Sequence, residues 1–509
     1  MLRFAVYPND GQAKSVNLAG AHLLGGGDVP VRAEITSDNE IITCDKREAG
    51  PASFVLLWNI EGVGCILVET TRLPEREKPY VLQVELARGR LTHINSKIED
   101  WGLLDHPDAR EAMENLDLSR KTLILALQAD TPVDAARLGQ ESLCQAVLAS
   151  EELSRIHSIA LLQRRKQSSG FGRRVFGCCV GLGQSDDAYR KRLLSSFDFV
   201  NIPVVWRDIE PTEQTFNWKP LDTWVEYLAR KRMPMKGSAL LSFDELDLPD
   251  WLYVWEHDFE TIRDLAFEHV KRVMNRYGQY IPVWDVVSGI HAQSSFTLAP
   301  GQLIELTRMA ASAAKQASSR CMSVINIVAP WGEYYARNQR TIPPMLYADM
   351  VLQSGVSFEA FGLQFCFGPA RDGMFVRDMF QISSILDLFG KLGKPLYVTA
   401  TQVPSQPLVA GDDGTDGENS PEAGGWWRQG WSEQAQSEWL GRFLELALSK
   451  PFVERVCYGA FSDDDSRKVP HGGLLTPQLT PKPAHETIVK LRADLLGPSN
   501  RRSGSKPSR

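Results

Sequence analysis

The sequence predicts an α/β protein: a (β/α)8 TIM barrel preceded by a β-rich N-terminal region and a helical linker. Three observations carry this. From Arg174 onward, short apolar strands alternate eight times with longer amphipathic stretches, the pattern of a closed parallel barrel. No glycine-rich phosphate loop follows the first of these strands, which disfavours a doubly wound open sheet. Residues 1–104 carry short apolar runs separated by Gly, Pro, Asn and Asp turns, as in a small sandwich or jelly-roll.

The N-terminal runs are Leu2–Tyr7, Val29–Ile35, Ser53–Trp58, Gly64–Thr70 and Tyr80–Leu86. Residues 105–173 turn helical, with apolar residues every three or four positions over Val133–Arg164. This region closes in QRRKQSSGFGRR, a basic, Gly/Ser-containing segment that reads as a linker. The barrel is assigned to residues 174–497. Its expected strands are Val175–Val180, Phe199–Pro203, Met235–Leu240, Val283–Val287, Ser323–Val328, Phe358–Gln364, Pro395–Thr399 and Arg455–Phe461. Helices are expected between them at Phe259–Arg276, Pro300–Gln316, Phe375–Leu392, Glu433–Leu448 and Pro481–Leu496. The polar, basic tail 498–509 has the composition of a disordered segment.

Of 509 residues, 43% are hydrophobic and 23% charged, and the net charge is −7. That balance argues against a nucleic-acid-binding surface. No apolar run approaches the roughly 20 residues of a membrane span. The opening MLRFAVYPND lacks the apolar core of a secretory signal, so a cytoplasmic, membrane-free protein is expected. The eight cysteines show no metal-ligand spacing and are expected to be reduced, mostly buried thiols. Neither a metal nor a cofactor is expected. A glycan is the expected ligand, and a protein partner is left open.

Four segments, in order, resemble glycoside hydrolase family 10, the endo-β-1,4-xylanase family. They are FDFVNIPVVWRDIEPTEQTFNW (Phe197–Trp218), KGSALLSFDELDLPDWL (Lys236–Leu252), NRYGQYIPVWDVVSG (Asn275–Gly289) and GKPLYVTATQV (Gly393–Val403). Weaker matches follow at FEAFGLQ (Phe358–Gln364) and LLTPQLTPKPAHETI (Leu474–Ile488). The resemblance spans about residues 175–495 and implies a retaining O-glycosyl hydrolase. Such an enzyme needs a carboxylic acid to protonate the leaving oxygen and a carboxylate about 5–5.5 Å away to attack the sugar.

Both groups are absent. The family's acid/base Glu falls on Gly289, after Ser288, and its nucleophile falls on Ala400, within Thr399-Ala400-Thr401-Gln402. The family's Glu-Asn and Lys near the first Trp fall on Asn201, Ile202 and Val205, and two of its histidines fall on Ser238 and Cys366. Glycine and alanine can neither transfer a proton nor form a glycosyl ester. A joint loss is physically coherent, since lone survivors of a buried charge network are costly. The pocket is expected to have become apolar or lined by small residues.

Acidic residues remain near expected strand ends: Asp208, Glu210, Asp244, Glu245, Glu333 and Asp463. Glu210, before a proline, reads as structural. Glu333, in APWGEYYAR, is the weak catalytic candidate: aromatic and proline neighbours could desolvate it and raise its pKa, against a plain solvated loop carboxylate. A Glu333–Asp463 or Glu333–Asp244 pair would make an acid and a base. Trp206, Trp331, Tyr334, Trp426 and Trp427, with Gln364, are the expected substrate-binding residues. Phe365, Phe367 and Tyr458 fall in the same loops, where such rings either stack on sugars or seal the barrel mouth. Arg377-Asp378 reads as a solvated first helical turn. The acidic insertion Gly411–Gly425 reads as a lid or a surface loop. Asp463–Asp465 reads as a solvated charge run or a site for a hard cation. Three functions fit: a glycan-binding barrel without hydrolysis, an active hydrolase with relocated carboxylates, or a structural and interaction protein.

Overall fold

The computed structural model describes residues 1–7, 16–38, 40–168, 170–408 and 424–497. The tail 498–509 and all but the last two residues of Gly411–Gly425 lie outside these.

Eight strands close a parallel barrel: Phe176–Cys179, Phe199–Pro203, Met235–Ser238, Val283–Ser288, Met322–Ile327, Ala360–Cys366, Leu396–Gln402 and Val453–Tyr458. Each pairs with the next in sequence. The last returns to the first through Val456↔Phe176 and Tyr458↔Cys178. All eight overlap the expected strands. Their side chains are buried on both faces, one against the barrel interior and one under the helices, so they read as near-continuous apolar runs. Close approach inside the barrel is tuned by glycine. A Cβ on Gly237 would lie 2.2 Å from the Trp284 ring, so that ring can fill the space only because the side chain opposite is missing.

Outer helices start where a side chain caps them. Ser432 accepts the amide of Ala435 ahead of Glu433–Ser449, and Asp258 accepts the amide of Thr261 ahead of Phe259–Tyr277. The helix expected over Phe375–Leu392 is shorter, Met379–Gly390. Asp378 forms a capping box with Gln381 and fixes the start there.

The N-terminal region builds two sheets. One orders Ala33–Asp38, Ile41–Lys46, Leu2–Ala5 and Tyr80–Val81; the other orders Trp426–Trp427, Gly64–Glu69, Ser53–Ile60, His22–Leu24 and Pro30–Val31. Strands at His22–Leu24 and Ile41–Lys46 were not expected. The expected run Val29–Ile35 breaks at Arg32, and its halves join different sheets. The expected strand Tyr80–Leu86 stops at Val81, and a helix runs over Leu82–Trp101. The buried Leu82, Leu86, Leu91, Ile94 and Ile98 of this helix have helical spacing, and that period outweighs the local β-like composition.

This helix packs with Arg110–Gln128 and Pro132–Gln167. The expected linker is in part the end of the last of these. Arg165 is buried there and donates to the carbonyls of Leu448, Lys450 and Val453, tying the helix to the barrel. No described helix is long and apolar enough to cross a membrane. The eight cysteines are free thiols, all buried except the half-buried Cys144 and Cys179.

Trp426–Trp427 joins the two halves of the molecule. This short barrel-side strand pairs antiparallel with Gly64–Glu69. Gly64 has φ +119°, and a Cβ there would lie 2.3 Å from the Trp426 carbonyl oxygen. We predict that Gly64→Ala destabilises the protein by about 3 kcal/mol, read as a lower denaturant midpoint with an unchanged barrel circular-dichroism spectrum at low denaturant.

Burial also sets the acid response. His22, His269 and His291 are enclosed, and burial holds their pKa values down to about 4, about 3 and about 4. The unfolded chain takes up these protons from about pH 6.5 downward, while the folded chain refuses them until near pH 4. Stability is therefore full above pH 6.5 and falls as the pH drops from there toward 4. The slope is at most about 1.4 kcal/mol per pH unit for each histidine. Chemical denaturation between pH 7.5 and 4.5 measures it, and a flat profile contradicts the assignment.

Candidate functional site

The C-terminal ends of the barrel strands surround a cavity of about 460 Å³. A second hollow of about 550 Å³ adjoins it and shares Ser288, Gln364, Cys366 and Lys468. Together they form one groove across the barrel mouth. Ala400 lines the first part and Gly289 the second, so both positions expected to carry carboxylates open onto this groove and carry none. The backbone has also moved away from the glutamate option at Gly289. Its φ is +64°, and a Cβ would lie 2.9 Å from Cγ2 of Val328. An L-residue there costs roughly 1–2 kcal/mol in conformation alone.

Of the expected apolar or small-residue pocket, the small residues are present, with Gly181, Ser238, Ala239, Ser288, Ala400 and Gly459 on the walls, but the groove is not apolar. Its floor is a ladder of amides and hydroxyls contributed by successive strands. Asn201 Nδ2 donates to Ser238 Oγ at 2.9 Å, Asn326 Nδ2 to Ser288 Oγ at 2.8 Å, and Thr399 Oγ1 to Asn326 Oδ1 at 2.5 Å. Gln364 and Gln402 also line it. Of the other degenerate positions, Val205 and Cys366 face the groove, whereas Ile202 is buried and does not.

At the base of the groove, which Asp285 helps to line, Lys236 forms a buried ion pair with Asp285 and donates to Asn201 Oδ1 at 3.3 Å. Burial pushes the Asp285 carboxyl up, and the Lys236 ammonium counters part of that rise. Neither residue was singled out from sequence. The available signal was a lone charge inside an otherwise apolar barrel strand, in MKGS and VWDVVS.

Most acids at the rim are already engaged. Asp244 pairs with Lys468 at 3.2 Å, and Asp208 with Arg467 at 2.7 Å. Asp465 accepts from the Tyr189 hydroxyl at 2.6 Å, and Asp463 from Lys482 at 2.7 Å. Burial raises the Asp247 carboxyl, with Lys468 opposing and Asp244 adding to the rise. Asp464 and Glu245 are exposed edge groups. Among the described residues no cluster of three or more His, Cys, Asp or Glu is placed to hold a metal ion. Glu210 is committed to its own turn, accepting from Trp206 Nε1 at 3.0 Å and from the Gln214 amide at 2.9 Å.

The expected aromatic platform is not at the mouth. Of the proposed substrate-binding residues only Gln364 faces the groove. Trp206 is buried and stacks on His269 at 4.3 Å. The buried Tyr334 donates its hydroxyl to the Ile342 carbonyl at 2.7 Å. Trp426 and Trp427 are spent on the sheet shared with the N-terminal region. Phe365, Phe367 and Tyr458 are fully enclosed. Trp331 faces a different cavity, between the barrel and the N-terminal sheets. The physical reason is area: large rings contribute most when fully covered, and a chain with an extra module to seat uses them as seals.

Glu333 is neither a proton donor with a raised pKa nor a solvated loop carboxylate. It is buried and pairs with Arg377 at 3.2 Å. Burial alone would push its carboxyl up, but Arg377 and His22 outweigh that and hold it below its ordinary value. It lines neither part of the groove, so neither expected pair, with Asp463 or with Asp244, is assembled there. Arg377-Asp378 is likewise not solvated. Both are buried, and Asp378 is ion-paired to Arg90 of the N-terminal helix Leu82–Trp101.

The fold and site define a (β/α)8-barrel protein with its groove at the C-terminal ends of the strands, a frame shared by many unrelated functions. The chain belongs to glycosyl hydrolase family 10, whose family model matches residues 166–491. Endo-1,4-beta-xylanase B of Thermotoga neapolitana is 29% identical over 83 residues, 16% of this chain and 23% of that protein. Endo-1,4-beta-xylanase 1 of Gibberella zeae is 24% identical over 153 residues, 29% of this chain and 40% of that protein. The aligned chain thus spans less than half the length of either relative. Among solved structures, xylanase 10B from Thermotoga maritima superposes with a TM-score of 0.47 and 18% identity, covering 63% of this chain and 96% of that one. An endoxylanase from a sugarcane soil metagenome gives 0.48 and 16%, covering 65% and 99%.

The Lys236–Asp285 pair yields a test of the floor. Lys236→Met strands a buried carboxylate and is predicted to cost about 3–5 kcal/mol. The double change Lys236→Met with Asp285→Leu recovers most of that loss. Urea titration of the two variants reads the difference.

Proposed function

We propose that this protein is a carbohydrate-binding member of its family that does not perform retaining glycoside hydrolysis. The observation that carries the reading is the pair Gly289 and Ala400 in the barrel-mouth groove. Retention requires a nucleophile and an acid at a fixed spacing, and removal of both side chains eliminates the covalent route. The left-handed backbone at Gly289, which disfavours any other residue, and the capture of nearby acids by Lys468 and Lys482 support the same conclusion.

What remains suits a polyhydroxylated ligand. The floor offers alternating donors and acceptors, and the rim offers Lys468 and Arg467. Family membership points to β-1,4-linked xylose units, and a xylanase from Thermotoga petrophila is known in complex with xylobiose. No tryptophan or tyrosine lines this groove among the described residues. Binding therefore rests mainly on hydrogen bonds, with Phe243 as the aromatic side chain on the wall. We expect millimolar affinity, about −4 kcal/mol.

One observation favours the second reading, an active hydrolase with relocated acids. Asp247 lines the groove and its carboxyl is raised by burial, the property of a general acid.

Purified protein is predicted to release no reducing sugar from xylan and no nitrophenol from 4-nitrophenyl xyloside. It is predicted to bind xylotriose calorimetrically, with a loss of about tenfold or more in Gln364→Ala, roughly the 1.4 kcal/mol of one hydrogen bond. Restoring the family side chains as Gly289→Glu with Ala400→Glu is predicted not to recover turnover, because the acid starts from a left-handed backbone against Val328. Turnover by the unaltered protein that disappears in Asp247→Asn would overturn the non-hydrolytic reading in favour of the second.

A further inference from the structure

A second cavity, of about 420 Å³, lies between the barrel and the N-terminal region. Its walls are apolar: Pro30, Val68, Trp331, Pro344, Phe380 and Leu388 face it. Residues of the N-terminal strands and of the helix Leu82–Trp101 make up about half of the lining, and they precede the family match at residues 166–491. The cavity therefore belongs to the way this chain seats its additional module. Its volume falls within the range of small-molecule sites.

Two buried guanidinium groups, from Arg377 and Arg90, face this apolar space. Each is held against an aromatic ring, Arg377 over Trp331 at 4.3 Å and Arg90 over Phe380 at 5.1 Å. Each also has its counter-charge behind it. Glu333 pairs with Arg377 and Asp378 with Arg90, and neither carboxylate lines the cavity. His22, also on the wall, is occupied through Nδ1 with the Gly20 carbonyl at 2.8 Å.

The charges are thus balanced, but the hydrogen bonding is not. Nε of Arg377 is buried and has no acceptor among the described residues. A buried donor without an acceptor costs about 1–3 kcal/mol. What Arg377 Nε lacks is an oxygen acceptor, and the wall already carries the carboxylates of Asp28 and Glu69. A second anion would sit among Glu333, Asp378 and Glu69, with no cation left to match it.

We infer that this cavity binds a neutral, largely apolar organic molecule of bicyclic size that carries one carbonyl oxygen. The oxygen accepts from Arg377, and the hydrocarbon body lies against Trp331, the prolines and Leu388. This site is distinct from the barrel-mouth groove and does not depend on what that groove does.

An isosteric pair of probes separates acceptor from charge. Full-length protein is titrated with 2-naphthamide and with 2-naphthoate, and binding is followed by ligand-observed NMR. The amide is expected to bind with a Kd below about 1 mM and the carboxylate at least tenfold more weakly. Two variants locate the site. Leu388 is 40% exposed at the cavity edge, so Leu388→Trp fills the opening without disturbing the core and is expected to abolish amide binding at an unchanged melting temperature. Arg377→Lys keeps the cation facing Glu333 but removes Nε, and is expected to weaken the amide about tenfold. Equal or tighter binding of the carboxylate, absence of amide binding to the unaltered protein, or amide binding that survives Leu388→Trp would each overturn the inference. Xylotriose binding at the barrel mouth is expected to be unchanged in Leu388→Trp, which keeps this test separate from that of the proposed function.

Discussion

Closure of the barrel, by pairing of the strand Val453–Tyr458 with Phe176–Cys179, is the constraint on which the remaining structure depends. An open sheet would leave two edges and would scatter the strand ends. A closed one brings eight C-terminal ends to one rim, and that juxtaposition alone places Asn201, Ser238, Ser288, Asn326, Gln364 and Gln402 around a common space. Closure also explains the charge beneath them. Lys236 and Asp285 lie on adjacent strands and are buried as a pair at the base of the groove, where each is tolerable only because of the other.

The groove at the barrel mouth carries no carboxylate at Gly289 or Ala400, which both open onto it. A retaining site concentrates charge, because proton transfer and covalent attack both require it. Here side chains that hydrogen-bond without ionising line much of the floor, and three rim acids, Asp208, Asp244 and Asp463, are paired with arginine or lysine. The backbone at Gly289 has relaxed into a conformation that glycine adopts freely and other residues do not.

The aromatic residues serve a different end. Trp426 and Trp427 extend an N-terminal sheet, Phe380 and Trp331 cover buried arginines, and Arg165 closes three barrel carbonyls from outside. The N-terminal region is therefore integrated with the barrel through hydrogen bonds, ion pairs and rings together. That integration creates the apolar cavity that holds Arg377, and it withdraws Glu333 from any role at the mouth.

By itself the sequence determined the barrel, because its strands are short, apolar and regularly spaced, and such periodicity is local. It also places Gly289 and Ala400 where the family resemblance expects two carboxylates, because a motif read in order needs no coordinates. The helix Leu82–Trp101 was missed in favour of a strand at Tyr80–Leu86, although Leu82, Leu86, Leu91, Ile94 and Ile98 recur at helical spacing. Only the tertiary structure decided where side chains face and what they pair with. Glu333, Arg377 and Asp378 have sequence neighbours typical of exposed loops and helix starts, yet all three are buried by elements more than two hundred residues away. The rings expected at the mouth are likewise claimed by a module whose docking no local pattern encodes. Burial and ion pairing depend on contacts distant in sequence, and for that reason the candidate site's polar floor and engaged acids became visible only once the chain was folded.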